Sequence, residues 1–146
     1  MGRREIWAGV VLSAALTLWA QAPEGSLGSK EECKTLCDEV MAALAGSAIR
    51  EAFQKVGPHW AFGPGELSEF QIKTTQQMTA ATPRYGKPIG YEFIRQAAVG
   101  ESLVRLTYLQ KFERYLCRWT FTFYKPRDRW LLTDFKWDSQ TQALFD

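Results

Sequence analysis

The chain has 146 residues and a formal net charge of +2, with 46% hydrophobic and 14% aromatic residues. That is one domain's length with enough apolar side chains to bury a core. The near-balanced charge comes without a polybasic run or basic stripe, which excludes the electrostatic footprint of a nucleic-acid binder, and no repeat, low-complexity tract or acidic tail divides the chain.

Residues 1–22 read as a signal peptide. Arg3 and Arg4 make a positive start, Ile6 to Trp19 is an apolar run without charge, and Ala20-Gln21-Ala22 has the small-x-small pattern of a cleavage site. The run falls short of the roughly 20 residues of a membrane span, and no cysteine follows it for a lipid anchor. The expectation is an exported protein, periplasmic or secreted, with no membrane association after cleavage. Residues 23–30, rich in Pro, Gly and Ser, read as a flexible leader.

From Lys30, Cys33, Leu36, Cys37, Val40, Met41 and Leu44 recur at three- and four-residue steps and predict a helix. Gly46 is its stop, Ser47 the cap of a second helix carrying Ile49, Phe53 and Val56, and Gly57-Pro58 ends that helix. Trp60, Phe62 and Pro64 mark a loop held by its aromatics. A third helix from Glu66 sets Leu67, Phe70, Thr74, Met78 and Ala81 on one side. It closes at Thr82-Pro83, because the residue before a proline avoids the helical region.

Strands follow near residues 90–98, 102–112, 115–125 and 130–138. In the third, Tyr115, Cys117, Trp119, Phe121 and Phe123 alternate with Arg118, Thr120 and Thr122, the period of a strand with one buried face. A two-residue turn at Glu113-Arg114 sets Tyr108 against Trp119, Leu106 against Phe121 and Val104 against Phe123, apolar pairs throughout. A turn at Gly100-Glu101 sets Val104 against Ala97, Leu106 against Arg95 and Tyr108 against Phe93. In the last hairpin an even loop would bury Asp134 and Lys136 against aromatics. A bulge costs less than two buried charges, so Phe123, Phe121, Trp119 and Cys117 are expected to face Leu131, Thr133, Phe135 and Trp137.

Helices followed by an antiparallel meander make an α+β fold, three N-terminal helices packed on a curved, cone-like sheet of about four strands. Over residues 31–146 this order resembles the nuclear transport factor 2-like (cystatin-like cone) superfamily, and in particular its small secreted bacterial members. The likeness is carried by the three helices, the turn Tyr85-Gly86-Lys87-Pro88, and Trp119-Thr120-Phe121-Thr122-Phe123-Tyr124 followed by Trp130 and Phe135-Lys136-Trp137. It implies a cone with an interior cavity and dimerisation through the sheet. It does not imply one activity, since the superfamily hosts enzymes, binders and assembly modules. Ketosteroid isomerases, which share the cone, need an acidic base and an oxyanion hole of protonated groups. No motif here supplies them, and the preferred register turns Asp134 and Asp138 outward.

The candidate sites are few. Arg95 would project into a cavity lined by Tyr91, Phe93, Tyr108 and Trp119, there to anchor a small apolar or anionic ligand. The alternative sets Arg95 at the rim, in water or paired with Glu39 or Glu51. On the outer face Leu103, Leu109, Leu116, Tyr124, Trp130 and Leu132 are too apolar for free solvent and mark a homodimer interface, unless the leader or the segment Gln142-Ala143-Leu144-Phe145 covers part of it. Cys33 and Cys37 lie one helical turn apart and Cys117 on the inner face. Export permits a disulfide between either of them and Cys117, the alternative being three buried thiols. His59 is the only histidine and sits in a loop, so no cluster of histidines can hold a metal, and no cofactor is implied. The function expected is a non-catalytic binding or protein-interaction module with an aromatic-lined cavity. The alternative is a small-molecule enzyme, isomerase- or hydrolase-like, using the cone cavity.

Overall fold

Period-two alternation in the sequence becomes a four-stranded antiparallel meander in the order β1-β2-β3-β4, built of β1 (Pro88–Val99), β2 (Leu103–Phe112), β3 (Leu116–Tyr124) and β4 (Leu131–Asp138). This computed structural model describes residues 24–146, so the signal-peptide reading of residues 1–22, and export with it, lies outside the described residues. Three helices precede the sheet and cover one face of it: α1 (Lys30–Ala45), α2 (Ile49–Val56) and α3 (Pro64–Tyr85). The fold is α+β, with the curved sheet left open.

β2 and β3 pair as the aromatic pattern dictates, Tyr108 opposite Trp119, Leu106 opposite Phe121 and Val104 opposite Phe123. Both outer hairpins differ from expectation. The first turns on three residues, Gly100, Glu101 and Ser102, and β1 bulges between Phe93 and Arg95. Phe93 keeps Tyr108 opposite it, but Gln96 takes the place by Leu106 and Arg95 pairs with Thr107 on the outer face. One extra residue in a strand reverses the side on which all later residues fall. In the last hairpin the expected bulge is present but works in the opposite sense. Phe123 pairs with Leu132, and beyond the bulge Phe121 pairs with Phe135 and Trp119 with Trp137. Leu132 is therefore buried inside rather than placed on the outer face. The Thr133 hydroxyl donates to the Thr122 carbonyl at 3.2 Å within the bulge, and Asp134 and Asp138 face outward beside Thr122 and Arg118.

The inner face fills with aromatics. Tyr108, Trp119, Phe121 and Phe123 have no exposed surface, and neither do Cys33, Cys37, Val40 and Met41 of α1. Phe135 is the hub, stacked on Phe121 at 5.0 Å and Trp119 at 5.3 Å and edge-on to Phe70 at 5.5 Å, with Phe53 tilted against it at 5.3 Å. Burying each such side chain contributes about 1.5–3 kcal/mol, and each well-set ring pair about 0.5–1.5 kcal/mol more.

Two helix ends depart from the expected caps. Gly46 does follow α1, but Ser47 stands at φ 61° and the residue before α2 is Ala48, without a side-chain cap. The link is only residues 46–48, and Ser47 takes the left-handed conformation that reverses the chain. α3 runs through Pro83 to Tyr85. A proline near a helix end leaves few backbone bonds to lose, and here the free carbonyls are met from outside: Arg114 donates to the carbonyls of Pro83 at 3.0 Å and Arg84 at 3.2 Å. Gly86 next turns at φ 81°, where a Cβ would come within 2.8 Å of Glu113 Cβ, so the turn into the sheet admits only glycine.

Segments before the helices and after the sheet are fastened to the sheet. In the stretch expected as a flexible leader, Leu27 exchanges two backbone hydrogen bonds with Trp130, at 2.9 and 2.8 Å, and Arg129 donates to the Ser26 hydroxyl and carbonyl. His59 Nδ1 lies 2.7 Å from the Gly25 carbonyl, which gives the histidine a packing role. Ala61 donates to the Leu132 carbonyl at 2.9 Å, so the start of the β4 edge is covered as well. After β4 the chain crosses to β1, where Arg95 donates to the carbonyls of Ala143 and Leu144, both at 3.0 Å. This C-terminal strap lies on the outer face of the sheet.

Candidate functional site

Tyr91, Phe93, Tyr108 and Trp119 do come together on the inner face, packed ring against ring around Tyr108. Tyr108 meets Phe93 at 5.3 Å, Phe121 at 5.7 Å and Tyr91 at 6.2 Å between ring centres, and both Tyr108 and Trp119 are fully buried. Arg95 is absent from the group because the β1 bulge sends it to the other face, where the strap carbonyls occupy its guanidinium. Where the aromatic-lined pocket was expected, Tyr108 and Trp119 belong to the core, and Phe93 at their edge is 40% exposed. At its edge the Tyr108 hydroxyl donates to Asp38 at 2.7 Å, Lys34 pairs with Asp38 at 2.9 Å, and the Lys34 ammonium lies 4.6 Å above the Phe93 ring. Burial, and then the bond to Asp38, push the Tyr108 hydroxyl far above its ordinary pKa. It is a permanent neutral donor that ties α1 to the sheet.

A recess of about 190 Å³ lies at the other end of the helix layer, lined by Leu44, Ser47, Ile49, Met78, Thr79, Thr82, Pro88, Gln110 and Phe112. It forms where the end of α1, the α1–α2 link and the later turns of α3 stand apart over the start of β1 and the end of β2. Its walls are aliphatic and aromatic, its rim carries hydroxyls, and none of its lining residues is ionisable. The Thr79 and Thr82 hydroxyls donate back to the carbonyls of Thr75 and Met78, at 2.8 and 2.9 Å.

Gln110 is the polar centre of this recess and was not singled out in the sequence. It is 3% exposed, donates from Nε2 to the Leu44 carbonyl at 3.1 Å and accepts at Oε1 from Trp119 Nε1 at 2.8 Å. The signal was available: β2 buries Val104, Leu106, Tyr108, Gln110 and Phe112 in alternation, and an amide in such a series must have partners.

The residues expected at a dimer interface separate into three groups. Leu103 and Tyr124 are 36% and 44% exposed and adjoin Val99 in one cross-strand row at the hairpin end of the outer face. Leu109 and Leu116 are half-buried. Trp130 is 3% exposed, because the docked leader pairs with it and Lys30 and Lys125 lie over its ring, so it is no surface residue. A shallow recess of about 130 Å³ adjoins the row, lined by Ala97, Val99, Leu103, Arg105 and Thr122. The rest of the face is polar, with Arg118 paired to Asp138 at 2.5 Å and Lys136 to Asp134 at 3.5 Å. Burial alone would raise the Asp138 carboxyl, but the Arg118 guanidinium and the Gln140 N–H outweigh it and hold it below its ordinary value.

Cys33, Cys37 and Cys117 are buried free thiols and form no disulfide. Burial pushes Cys33 and Cys117 up to about 12, with the carboxylates of Glu32 and Asp138 adding to the effect, and raises Cys37 well above the ordinary range. They are inert apolar groups. Among the described residues no cluster of three or more His, Cys, Asp or Glu is placed to hold a metal, and no helix is long and apolar enough to cross a membrane. Comparison with protein-family models, curated proteins and solved structures gave no match.

Proposed function

We propose that the protein is an exported, non-catalytic binding and interaction module of the nuclear transport factor 2-like cone kind. The order of three helices and a four-stranded meander supports the cone reading. The observation that carries the binding function is the recess of about 190 Å³ around Gln110, a concave apolar site with one convergent polar group. Its position differs from the one expected of the cone interior, which Trp119, Tyr108 and Phe135 fill. Thr79 stands exposed on its rim, so Thr79→Trp should plug the mouth without disturbing the core. A small-molecule fragment screen by thermal shift should give hits on the natural chain that Thr79→Trp loses. Hits that survive the substitution would place binding elsewhere.

The interaction part of the function falls to the uncovered row of Val99, Leu103 and Tyr124, which a second copy would bury. Sedimentation should then find a dimer that Tyr124→Lys converts to a monomer with an unchanged circular dichroism spectrum. A natural chain that stays monomeric at high concentration removes this part of the function.

A further inference from the structure

We infer that the recess is specific for a small neutral molecule that presents a hydrogen-bond donor and an acceptor side by side on a flat apolar body, as a primary carboxamide or a lactam does. The inference rests on the recess being the binding site and concerns what it selects. A glutamine amide offers two N–H donors and two acceptor lone pairs. In Gln110 one N–H is taken by the Leu44 carbonyl and one lone pair by the Trp119 indole N–H. These partners also fix which end is which. Turned over, the amide would set its NH₂ against the indole donor and its oxygen against a carbonyl, losing both bonds. One N–H and one lone pair therefore remain on a residue that lines the recess and is only 3% exposed. Buried donors and acceptors without partners are costly, so a ligand amide that meets both is favoured over an apolar ligand that meets neither.

Charge and size narrow the class further. No lining residue is ionisable, so an anion entering the recess would lose its hydration with no cation to replace it. This replaces the anionic class that an inward-facing Arg95 would have selected. The walls of Leu44, Ile49, Met78, Pro88 and Phe112 suit an apolar body, and an engineered apolar cavity of about 150 Å³ holds one benzene ring. A space of about 190 Å³ accordingly suits one ring with a short substituent.

The test is an NMR titration of the folded protein with benzamide, toluene and benzoate, followed at the Met78 methyl and the Gln110 side-chain NH₂. Benzamide should shift both signals and bind about tenfold more tightly than either other probe, the ratio expected for a pair of extra hydrogen bonds. Gln110→Leu should level benzamide with toluene. Because that change also strips a partner from Trp119, Thr79→Trp serves as the second variant and should abolish the shifts from all three probes. If toluene or benzoate matches benzamide on the natural chain, the donor–acceptor class is wrong while the recess stands. If no probe moves Met78 or Gln110, the recess is not a binding site and both readings fall.

Discussion

On the inner face of the sheet Trp119, Phe121 and Phe123 alternate along one strand and are wholly buried, with Trp119 and Phe121 stacked on Phe135. On the outer face Thr107, Thr120 and Thr122 are buried nearly as well, yet they are small and polar, and the C-terminal strap held by Arg95 crosses their side of the sheet. Burial on the first face is a property of the strands, since any register that exposed those rings would lose several kcal/mol. On the second face it depends on chain outside the sheet. One face is therefore core and the other is a surface that has been partly closed. Loss of a single contact should unfold the protein in the first case and only loosen it in the second.

The largest expected effect tests the first half of that contrast. Trp119→Ala should cost about 3–5 kcal/mol in urea denaturation, because it empties a filled space and leaves the Gln110 oxygen without its indole donor. A loss under about 1 kcal/mol would mean that the inner face is no more essential than the outer.

What could be read in advance follows the same division. The β2–β3 pairing was legible because five aromatic or apolar positions alternate across a two-residue turn, and a slip of one residue would have exposed them all. Helix α1 was legible from its cysteine and leucine stripe. The fate of Arg95 was not, because it depends on a bulge at Ile94, where neither neighbour breaks the alternation in a way that announces an extra residue. Leu132 changed faces for a similar reason: a bulge was expected, but it shifts the register in the opposite direction, which sets Phe123 against Leu132 and Phe121 against Phe135. The strap and the docked leader depend on backbone carbonyls accepting from Arg95 and Arg129, and carbonyls carry no residue-type signal. The recess joins residues 44–49, 78–82, 88 and 110–112, which no local period connects. Only Gln110, an amide within an apolar series, pointed toward it.

Arg95→Ala tests the second half. It removes both guanidinium bonds to the strap, on a side chain that is only half-buried, so the global loss should be about 1 kcal/mol. The larger change should be local. Amide exchange at residues 141–145 and proteolysis within them should accelerate at least tenfold, with circular dichroism unchanged. An intact, protected strap in this variant would show that other contacts hold it. Cooperative unfolding would show that the outer face belongs to the core.

The smallest expected effect separates the faces by pH. Asp138 on the outer face has its carboxyl held below the ordinary value by Arg118 and Gln140. A lowered carboxylate pKa means that the folded state binds the proton less readily than the unfolded chain. The associated stability is complete above the unfolded value of about 4 and is lost as pH falls through the folded value. For a partly exposed pair this amounts to under about 1 kcal/mol. On the inner face the sign is reversed: Cys33 and Cys117 are pushed up to about 12, so their contribution is complete below the unfolded thiol value of about 8.5 and is lost as pH rises toward 12. Arg118→Gln should therefore flatten the stability profile below about pH 4 and leave the alkaline limb untouched. Cys117→Ala should reduce the alkaline loss and leave the acid limb as it was. If Arg118→Gln altered the alkaline limb as strongly as the acid one, the two faces would be coupled through Asp138, whose charge also bears on Cys117 across β3. The sheet would then behave as one titrating unit rather than two independent surfaces.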